Sequence, residues 1–599
     1  MKVRRCPRLL AFFPPREYPG RFLQQESECR DKVNSKSAAG LDKITNKAMR
    51  NLSDEAIESL TGYYNESWKS GRLPQQWKTA KMILLPKPGK PPGIENLRPI
   101  SLTSCVGKVL EHVVNNRWQR YLEDGGHYPD TMFGFREKLS TQDAMALIKS
   151  ESLDTTKGRA LLGLDLQSAF DKVNHSAILE RINELGFGPR SYAYIKDFLT
   201  GRKAILHAGE LEIEERELGS VGTPQGSGIS PLLFNLVMIK VADRLGELRA
   251  RHTMYADDIT LWSTSDREYT AQEELQEAIQ VIEDALEGTG LKCSPSKSKL
   301  LAINPRSPRW DNIKLVTKDG PISRVDWIKI LGMTIERTRR NGITVAKRES
   351  KTNAAVQLIK RVARRKGGMR EHNVARIVQS FSISHVTYVA SYLKWQSIEK
   401  RKHNALIRKV YKNAPGLLHN TNTEKLEALG MHNTVEEIIE AQKTSQQQRL
   451  EQTRSGRTLL ERLKIPTRGE EAKEEAIRPE DMQRLNVRPI PRHMHPRYDE
   501  GRRKARAQAL YRLYERDAGA VYVDAARQGD RCVAVVARAA DGKLLTSAGV
   551  KTGSVRTAEE VAIALAASLP TTTTVLSDSM QALRNFAKGR VRGIGGRVV

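Results

Sequence analysis

The segment HTMYADDITLWST (252–264) constrains the fold most, because it sets two adjacent aspartates between two β-rich apolar runs. This pattern predicts a β-hairpin with Asp257 and Asp258 at its tip. Neighbouring carboxylates repel one another, so the pair is costly unless a cation compensates it. Hard oxygen ligands at one point suit Mg²⁺. Taken by itself, an Asp-Asp pair is better explained as an ordinary turn.

A second segment, LLGLDLQSAFDKVNH (161–175), favours the metal-binding interpretation. It predicts a buried strand that ends in Asp165, followed by a turn and a helix. If this strand lies beside the hairpin, Asp165 and Asp257 can bridge two metal ions about 4 Å apart, as in-line phosphoryl transfer requires. We expect Asp258 to contribute mainly field and orientation. Asp171 is expected to cap or pair at the following helix and to bind no metal.

The charge balance favours a polyanionic partner. Lys and Arg number 99 against 70 acidic residues, for a net charge of +29 in 599 residues. A basic surface binds nucleic acid because phosphate neutralisation releases counterions, although a solvated charged surface would show the same excess. The five cysteines are isolated, which argues against a disulfide framework or a zinc site. No apolar run approaches the ~20 residues of a membrane span, so we expect a soluble, intracellular protein with no membrane partner.

The pattern along the chain predicts five segments. Residues 1–40 are irregular and Arg-rich, and residues 41–336 mix helices with strands. Residues 337–450 are helical and basic. Residues 451–515 are charge-dense, with several prolines, and are interpreted as a linker. A new α/β pattern starts in 516–599, with the order strand, strand, strand, helix, strand, helix.

Several motifs then carry a family resemblance. LDLQSAFDKV, GTPQGSGISPLLFNL and MYADD, in that order, resemble the three central palm motifs of reverse transcriptases. Upstream, LPKPGK, NLRPISL and FGFREKLSTQDA are similar to further motifs of the family, and downstream so are GLKCSPSKSK and KILGMTI. The set resembles non-LTR (LINE-type) retrotransposon polymerases over residues 37–336. The helical region around HNALIRKVYKNAPGL is similar to that family's thumb.

The resemblance implies an α/β multidomain chain with a right-hand polymerase architecture. Fingers and palm would occupy 41–336 and a helical thumb 337–450. The implied activity is RNA-directed DNA polymerisation with Mg²⁺, and the implied partners are an RNA template, a DNA primer and deoxynucleoside triphosphates. Nuclear action is implied by the resemblance as well.

The resemblance also implies roles for residues around the nucleotide. Lys87 and Arg98 would grip the triphosphate, since both cations suit phosphate oxygens. Phe170 occupies the steric-gate position, where a ring collides with a ribose 2′-hydroxyl; a core phenylalanine is the alternative. Gln225 and Gly226 would contact the nucleotide and template, because glycine lets the backbone approach closely.

One further lysine has a proposed chemical role by resemblance. Lys297 matches the position of a general acid that protonates pyrophosphate. Lys299, two residues away, is the alternative match.

A second set of carboxylates falls in the C-terminal α/β pattern. Asp524 lies in an alternating strand, Glu559 at the start of a helix and Asp578 at a strand end. Three such residues could hold two Mg²⁺ ions for phosphodiester hydrolysis, although helix-capping or surface acids would look the same. The order of elements resembles type 1 ribonuclease H, with Glu559 fitting better than Glu560. Because the sequence stops at Val599, we expect a partial ribonuclease H-like domain that lacks its last strand and helix.

Alternative functions stay open at this point. A group II intron-type maturase is the nearest alternative enzyme, and the ribonuclease H-like pattern argues against it. A catalytically dead relic that only binds nucleic acid is the alternative from another class. The intact aspartates argue against such decay, whereas the expected lack of an endonuclease upstream of residue 40 argues for it.

Overall fold

The computed structural model describes residues 34–592, except for 90, 92, 155–156, 168, 209–210, 304–307, 339, 364–367, 414–420, 423–432, 468–473, 478–480, 483–484, 489–498, 530 and 553. The chain forms two compact units. The first unit comprises residues up to 350 together with 392–396 and 448–463. The second unit comprises 351–391, 397–447 and 464–599. Most of the predicted N-terminal basic segment lies outside the described residues.

The described residues contain the following α-helices, in chain order. They are α1 (Asn46–Arg50), α2 (Asp54–Ser70), α3 (Gln75–Lys78), α4 (Cys105–Asp124), α5 (Thr141–Ile148), α6 (Ala169–Lys172), α7 (His175–Glu184), α8 (Pro189–Leu199), α9 (Ser230–Gly246), α10 (Glu268–Ala285), α11 (Gly342–Val362), α12 (Glu371–Ile377), α13 (Ser384–Ala390), α14 (Ser397–Asn413), α15 (Val435–Leu450), α16 (Arg454–Arg462), α17 (Glu500–Tyr514), α18 (Val555–Ala567) and α19 (Met580–Ala587). None of these helices is long and apolar enough to cross a membrane.

The strands form several separate sheets. They are β1 (Thr79–Pro86), β2 (Leu97–Leu102), β3 (Arg159–Leu164), β4 (Lys203–Ala208), β5 (Leu211–Glu217), β6 (Arg251–Tyr255), β7 (Asp258–Trp262), β8 (Lys299–Ile303), β9 (Val316–Thr317), β10 (Gly320–Pro321), β11 (Ser323–Arg324), β12 (Trp327–Ile330), β13 (Met333–Glu336), β14 (Glu474–Ala476), β15 (Ala520–Gln528), β16 (Arg531–Arg538), β17 (Leu544–Val550), β18 (Thr574–Ser577) and β19 (Arg590–Arg592).

A five-stranded sheet lies at the centre of the first unit, in the order β11-β8-β3-β7-β6. Strand β3 is in the middle and runs antiparallel to both β7 and β8. Its apolar residues, such as Leu161 and Leu162, are fully buried, as expected for a strand covered on both faces. The apolar helix α9 joins the same core, with Phe234 fully buried. The end of β3 is therefore held rigidly.

A second sheet of the first unit has the order β2-β1-β4-β5. The extended segment predicted in KMILLPKPGKPPGIENLRPISLTS is confirmed, because β1 and β2 pair antiparallel across its Pro/Gly-rich turn. In this register Arg98 lies opposite Leu85. Strand β4 adds to β1 in parallel.

The C-terminal part of the second unit contains the sheet β17-β16-β15-β18. Strands β15, β16 and β17 are antiparallel neighbours, and β18 pairs with β15 in parallel. Alternate residues of β15, such as Val521 and Val523, are buried in a core with Val561 of α18 and Phe586 of α19. The predicted order of strands and helices in 516–599 is confirmed.

The segment interpreted as a linker contains folded structure. Helix α16 lies in the first unit, whereas β14 pairs antiparallel with β19 in the second. Next to β14, Ile477 is buried in the C-terminal core, and Leu485 packs against it. The few apolar residues of this charged stretch form no periodic pattern that predicts a strand. Their burial depends on a partner strand more than 100 residues later in the chain.

Candidate active site

The predicted hairpin is present, and its tip is tightly specified. Strands β6 and β7 pair up to Tyr255 and Asp258, which leaves Ala256 and Asp257 as a two-residue turn. Ala256 has φ 57°, a left-handed conformation that is uncommon for a residue with a side chain. Because β6 and β7 enclose it so closely, the turn fixes where Asp257 and Asp258 project.

A neighbouring segment clamps this turn from outside. Phe133 donates its N–H to the carbonyl of Met254 at 2.8 Å, so residues 131–134 run beside β6. A Cβ on Gly134 would lie 2.5 Å from the amide nitrogen of Ala256, which is closer than any real contact. Only glycine permits this approach.

Strand pairing positions Asp165 beside the hairpin. Strand β3 pairs with β7 as far as Leu164 and Ile259, so its next residue, Asp165, faces the start of β7. The backbone of Asp165 is held by two further bonds, from its N–H to Ser298 Oγ at 3.1 Å and from the N–H of Ser294 to its carbonyl at 2.8 Å. The predicted convergence of the upstream strand and the hairpin is therefore present.

The two hairpin carboxylates are perturbed electrostatically. Burial, followed by the charge of Asp165, raises the pKa of Asp257. Burial and the charges of Asp257 and Asp165 raise the pKa of Asp258 to about 6. Among the described residues, the buried Oδ1 of Asp165 accepts no hydrogen bond, and its charge is met by an ion pair with Lys297. Clustered carboxylates whose pKa values are raised are suited to hold a cation.

Lys297 is the lysine that reaches this cluster. Its Nζ lies 3.4 Å from Oδ1 of Asp165, and its side chain is 62% exposed. Lys299 instead donates to the carbonyl of Ser296 at 3.0 Å. Of the two candidates that the sequence left open, Lys297 is therefore the one placed at the carboxylates.

The ring of Phe170, five residues after Asp165, is half-buried. Its centroid lies 4.7 Å from that of Phe234 in the core and 6.1 Å, edge-on, from that of Phe135. The core contact holds the ring in place and leaves part of its surface exposed. Both interpretations of Phe170, core packing and a gate, are compatible with this position.

The glycine-rich loop (residues 222–228) is fixed against its surroundings. The N–H of Ser101 donates to the carbonyl of Gln225 at 2.7 Å. Gly226 has φ 122°, and a Cβ there would lie 2.5 Å from the carbonyl oxygen of Ser101. The N–H of Thr223 donates to the carbonyl of Phe170 at 2.9 Å. The loop thus connects β2 with the segment that follows Asp165.

The partner of Asp171 differs from the expected one at the following helix. It accepts a hydrogen bond of 2.7 Å from Nε2 of Gln225 in the glycine-rich loop. Burial raises its pKa, while Gln225 and the charge of Lys87 act in the opposite direction. Lys87 therefore lies within electrostatic reach of this pair, just past β1. No local sequence signal marks this contact between residues 54 positions apart.

A second carboxylate cluster lies in the second unit. Oxygen atoms of Asp524, Glu559 and Asp578 lie within 4.8 Å of one another, an arrangement that could hold a metal ion. Burial and then the charges of Asp578 and Asp524 raise the pKa of Glu559 to about 7. Among the described residues, its buried Oε2 has no hydrogen-bond partner.

Glu560, the neighbouring glutamate, lies elsewhere. It is fully buried and accepts from Nη1 of Arg592 at 2.6 Å and from Nδ2 of Asn585 at 2.7 Å. Its second oxygen accepts from the backbone N–H of Arg592 at 2.7 Å. Glu560 is thus engaged in a structural network, and Glu559 is the one placed with Asp524.

Comparison with known proteins agrees with the geometry of the first unit. Residues 85–335 match the family model described as reverse transcriptase (RNA-dependent DNA polymerase). Residues 85–335 therefore form a reverse transcriptase domain, as the motifs in this range predict.

The relatives come from insect mobile elements. The chain is 30% identical to the RNA-directed DNA polymerase from mobile element jockey of Drosophila funebris, over 44% of this chain and 29% of that protein. It is 29% identical to the probable RNA-directed DNA polymerase from transposon BS of Drosophila melanogaster, over 50% of this chain and 34% of the relative. A Pol polyprotein from the R2 element of Nasonia vitripennis is 28% identical, over 47% and 27%. The chain thus spans about a third of the length of these relatives.

Proposed function

We propose that this protein is an RNA-directed DNA polymerase of a retrotransposon, which adds deoxynucleotides to a DNA primer on an RNA template. The observation that carries the proposal is the convergence of Asp165 from β3 with Asp257 and Asp258 from the β6–β7 hairpin. It is supported by the reverse transcriptase match over the residues that build this site.

The carboxylates suit Mg²⁺, since they are hard oxygen ligands that converge at one point, and their mutual repulsion favours a cation. In the proposed mechanism Asp165 and Asp257 hold two ions, and Asp258 adds field and orientation. When bound, the ions would activate the primer 3′-hydroxyl and stabilise the leaving pyrophosphate. Lys297, whose Nζ lies 3.4 Å from Oδ1 of Asp165, would donate a proton to that leaving group.

The remaining proposed contacts concern the nucleotide. Lys87 and Arg98 supply cations from the β1–β2 hairpin for the triphosphate. Gln225 and Gly226 lie on the fixed glycine-rich loop, where the backbone can approach a base pair. Phe170 would exclude a ribose 2′-hydroxyl by collision with its exposed edge.

Primer extension on poly(rA)/oligo(dT) with Mg²⁺ tests the proposal. We expect the wild type to incorporate dTMP and Asp257→Ala to abolish incorporation. Asp266→Ala is the matched control, because Asp266 follows the same strand β7 but forms an exposed ion pair with Lys157; it should stay active. An inactive wild type, or an Asp257→Ala variant as active as the wild type, contradicts the proposal. An inactive wild type that still binds primer–template would favour the nucleic-acid-binding relic.

The proposed gate has its own test. Phe170→Val should raise the kcat/KM for ribonucleotides while largely keeping that for deoxynucleotides. Unchanged discrimination between the two would assign Phe170 to core packing with Phe234 alone.

A ribonuclease H remnant is a second proposal, which the cluster of Asp524, Glu559 and Asp578 supports. These carboxylates would hold Mg²⁺ for hydrolysis of the RNA strand in an RNA–DNA hybrid. We expect hybrid degradation to be lost in Asp524→Asn. No degradation by the wild type would argue that the cluster has no hydrolytic role.

A further inference from the structure

A buried carboxylate outside the cluster of Asp165, Asp257 and Asp258 anchors the glycine-rich loop. Glu111 lies on α4 and is 5% exposed. Its Oε2 accepts from Oγ of Ser227 at 2.6 Å and from the N–H of Gly228 at 2.6 Å. Ser227 Oγ in turn accepts from the N–H of Ile229, just before α9. One carboxylate oxygen therefore holds the end of the loop and the entry to a core helix.

An ionised carboxylate is costly to bury unless a cation compensates its charge. Arg202 supplies that cation: it is 3% exposed, and burial lowers its pKa while the charge of Glu111 opposes this. Its Nη1 donates to the carbonyl of Phe198 at 3.0 Å. Among the described residues, Nε and Nη2 have no hydrogen-bond partner. Arg202 thus acts on Glu111 through charge and leaves its carboxylate to the loop.

The position of this anchor relates it to nucleotide binding. The same loop carries Gln225, whose amide donates to Asp171 and whose carbonyl is bound by Ser101. The contacts of Ser101 and Asp171 fix the first half of the loop, and those of Glu111 fix the second half. Without Glu111, the second half of the loop would lose both of these bonds.

We propose that Glu111 is a positioning residue for the incoming nucleotide, because its buried carboxylate fixes the glycine-rich loop that presents Gln225 and Gly226. This inference rests on the proposed polymerase function. The hydrogen bonds of Glu111 go to Ser227 and Gly228 and to none of the proposed metal ligands, so its effect would be transmitted through the loop.

Two substitutions probe the anchor from opposite sides. Glu111→Gln keeps the shape and an acceptor but removes the charge that strengthens both bonds. Ser227→Ala removes one donor and leaves the carboxylate in place. Since a hydrogen bond to a charged group contributes more than a neutral one, each variant should raise the KM for dTTP by about tenfold. The kcat should change much less, because the loop holds none of the proposed metal ligands. The Kd for primer–template should also change much less, because the proposed role of the loop is to present Gln225 and Gly226 to the incoming nucleotide.

A suitable control is Asp143→Asn. Asp143 is likewise a fully buried carboxylate of the first unit, paired with Arg449 Nη2 at 2.7 Å, but it lies on α5 and not on the loop. This variant should lower stability and leave the KM for dTTP unchanged once rates are normalised to active sites.

The experiment measures KM, kcat and primer–template Kd for the wild type, Glu111→Gln, Ser227→Ala, their double variant and Asp143→Asn. We expect the double variant to resemble the worse single variant, because the two residues share one interaction. An unchanged KM in both single variants, multiplicative effects in the double variant, or an equal rise in the Asp143→Asn control would overturn the inference. Should Glu111→Gln fail to fold, Ser227→Ala alone decides through the same KM. A wild type that extends no primer refutes the polymerase proposal instead, and the inference with it.

Discussion

Replacing Asp258 by asparagine should make the protein more stable when Mg²⁺ is absent. Asp258 lies at the hairpin tip beside Asp257, and desolvation, followed by the charges of Asp257 and Asp165, disfavours its ionised form. Asparagine has nearly the same shape and no charge, so Asp258→Asn removes the desolvation cost of the charge and this repulsion without opening a cavity.

The size of the effect follows from the pKa of Asp258. A rise from 3.8 to about 6 corresponds to roughly 3 kcal/mol of unfavourable interaction in the charged form. Neighbouring groups desolvate the carboxyl group of Asp258, but the residue keeps solvent contact at the hairpin tip. Solvent screening therefore reduces this energy, and we expect roughly 1 kcal/mol.

The pH dependence has a definite sign. The folded-state pKa lies above the unfolded one, so the folded protein binds this proton more tightly, and ionisation destabilises it. The penalty is fully present above about pH 6 and disappears as the pH falls towards 3.8. The stability advantage of Asp258→Asn should therefore be largest near neutral pH and vanish on acidification.

Urea unfolding in EDTA, followed by tryptophan fluorescence, measures this difference. All seven tryptophans lie in the first unit, so the signal reports the unit that contains Asp258. Asp266→Asn is the control. Lys157 lowers the pKa of Asp266, so removal of the Asp266 charge should not stabilise the protein. Added Mg²⁺ should stabilise the wild type more than Asp258→Asn. A variant no more stable than the wild type near neutral pH, or an advantage that grows on acidification, would refute the reasoning.

Three further predictions follow from close contacts. Gly134→Ala should reduce the kcat of primer extension by about tenfold or more in a folded protein, because its Cβ would displace Ala256 N, 2.5 Å away; an unchanged kcat contradicts the clamp. Arg592→Met should destabilise the C-terminal sheet by roughly 3–5 kcal/mol by leaving Glu560 buried without its cation, seen as faster hydrogen exchange in β15, and adding Glu560→Leu should restore protection. Asp524→Asn should lower the pKa of Glu559 from about 7 in metal-free protein, measured by carboxyl NMR titration; an unmoved pKa would mean that the two charges do not interact.

Local pattern in the sequence was enough to predict several elements. The β-rich apolar runs on either side of Asp257 and Asp258 predicted the hairpin, and the run before Asp165 predicted the buried strand. The Pro/Gly-rich turn between β1 and β2 was equally visible, because turn residues act on their immediate neighbours. The order of elements in 516–599 followed in the same way.

Local sequence pattern did not predict contacts between residues far apart in the chain. The charged segment interpreted as a linker contains β14, whose partner is β19. A short strand of this kind carries no signal until its partner is known, because pairing and burial with a distant segment stabilise it, and its own propensity does not.

The sequence by itself therefore determined which carboxylates belong to the candidate site, through motifs of neighbouring residues and a family resemblance. Only the tertiary structure decided that Asp171 binds Gln225, that Gly134 supports the hairpin turn and that Glu111 anchors the glycine-rich loop. The physical reason is that such contacts depend on strand register and close packing, where a shift of one residue or one methyl group removes them.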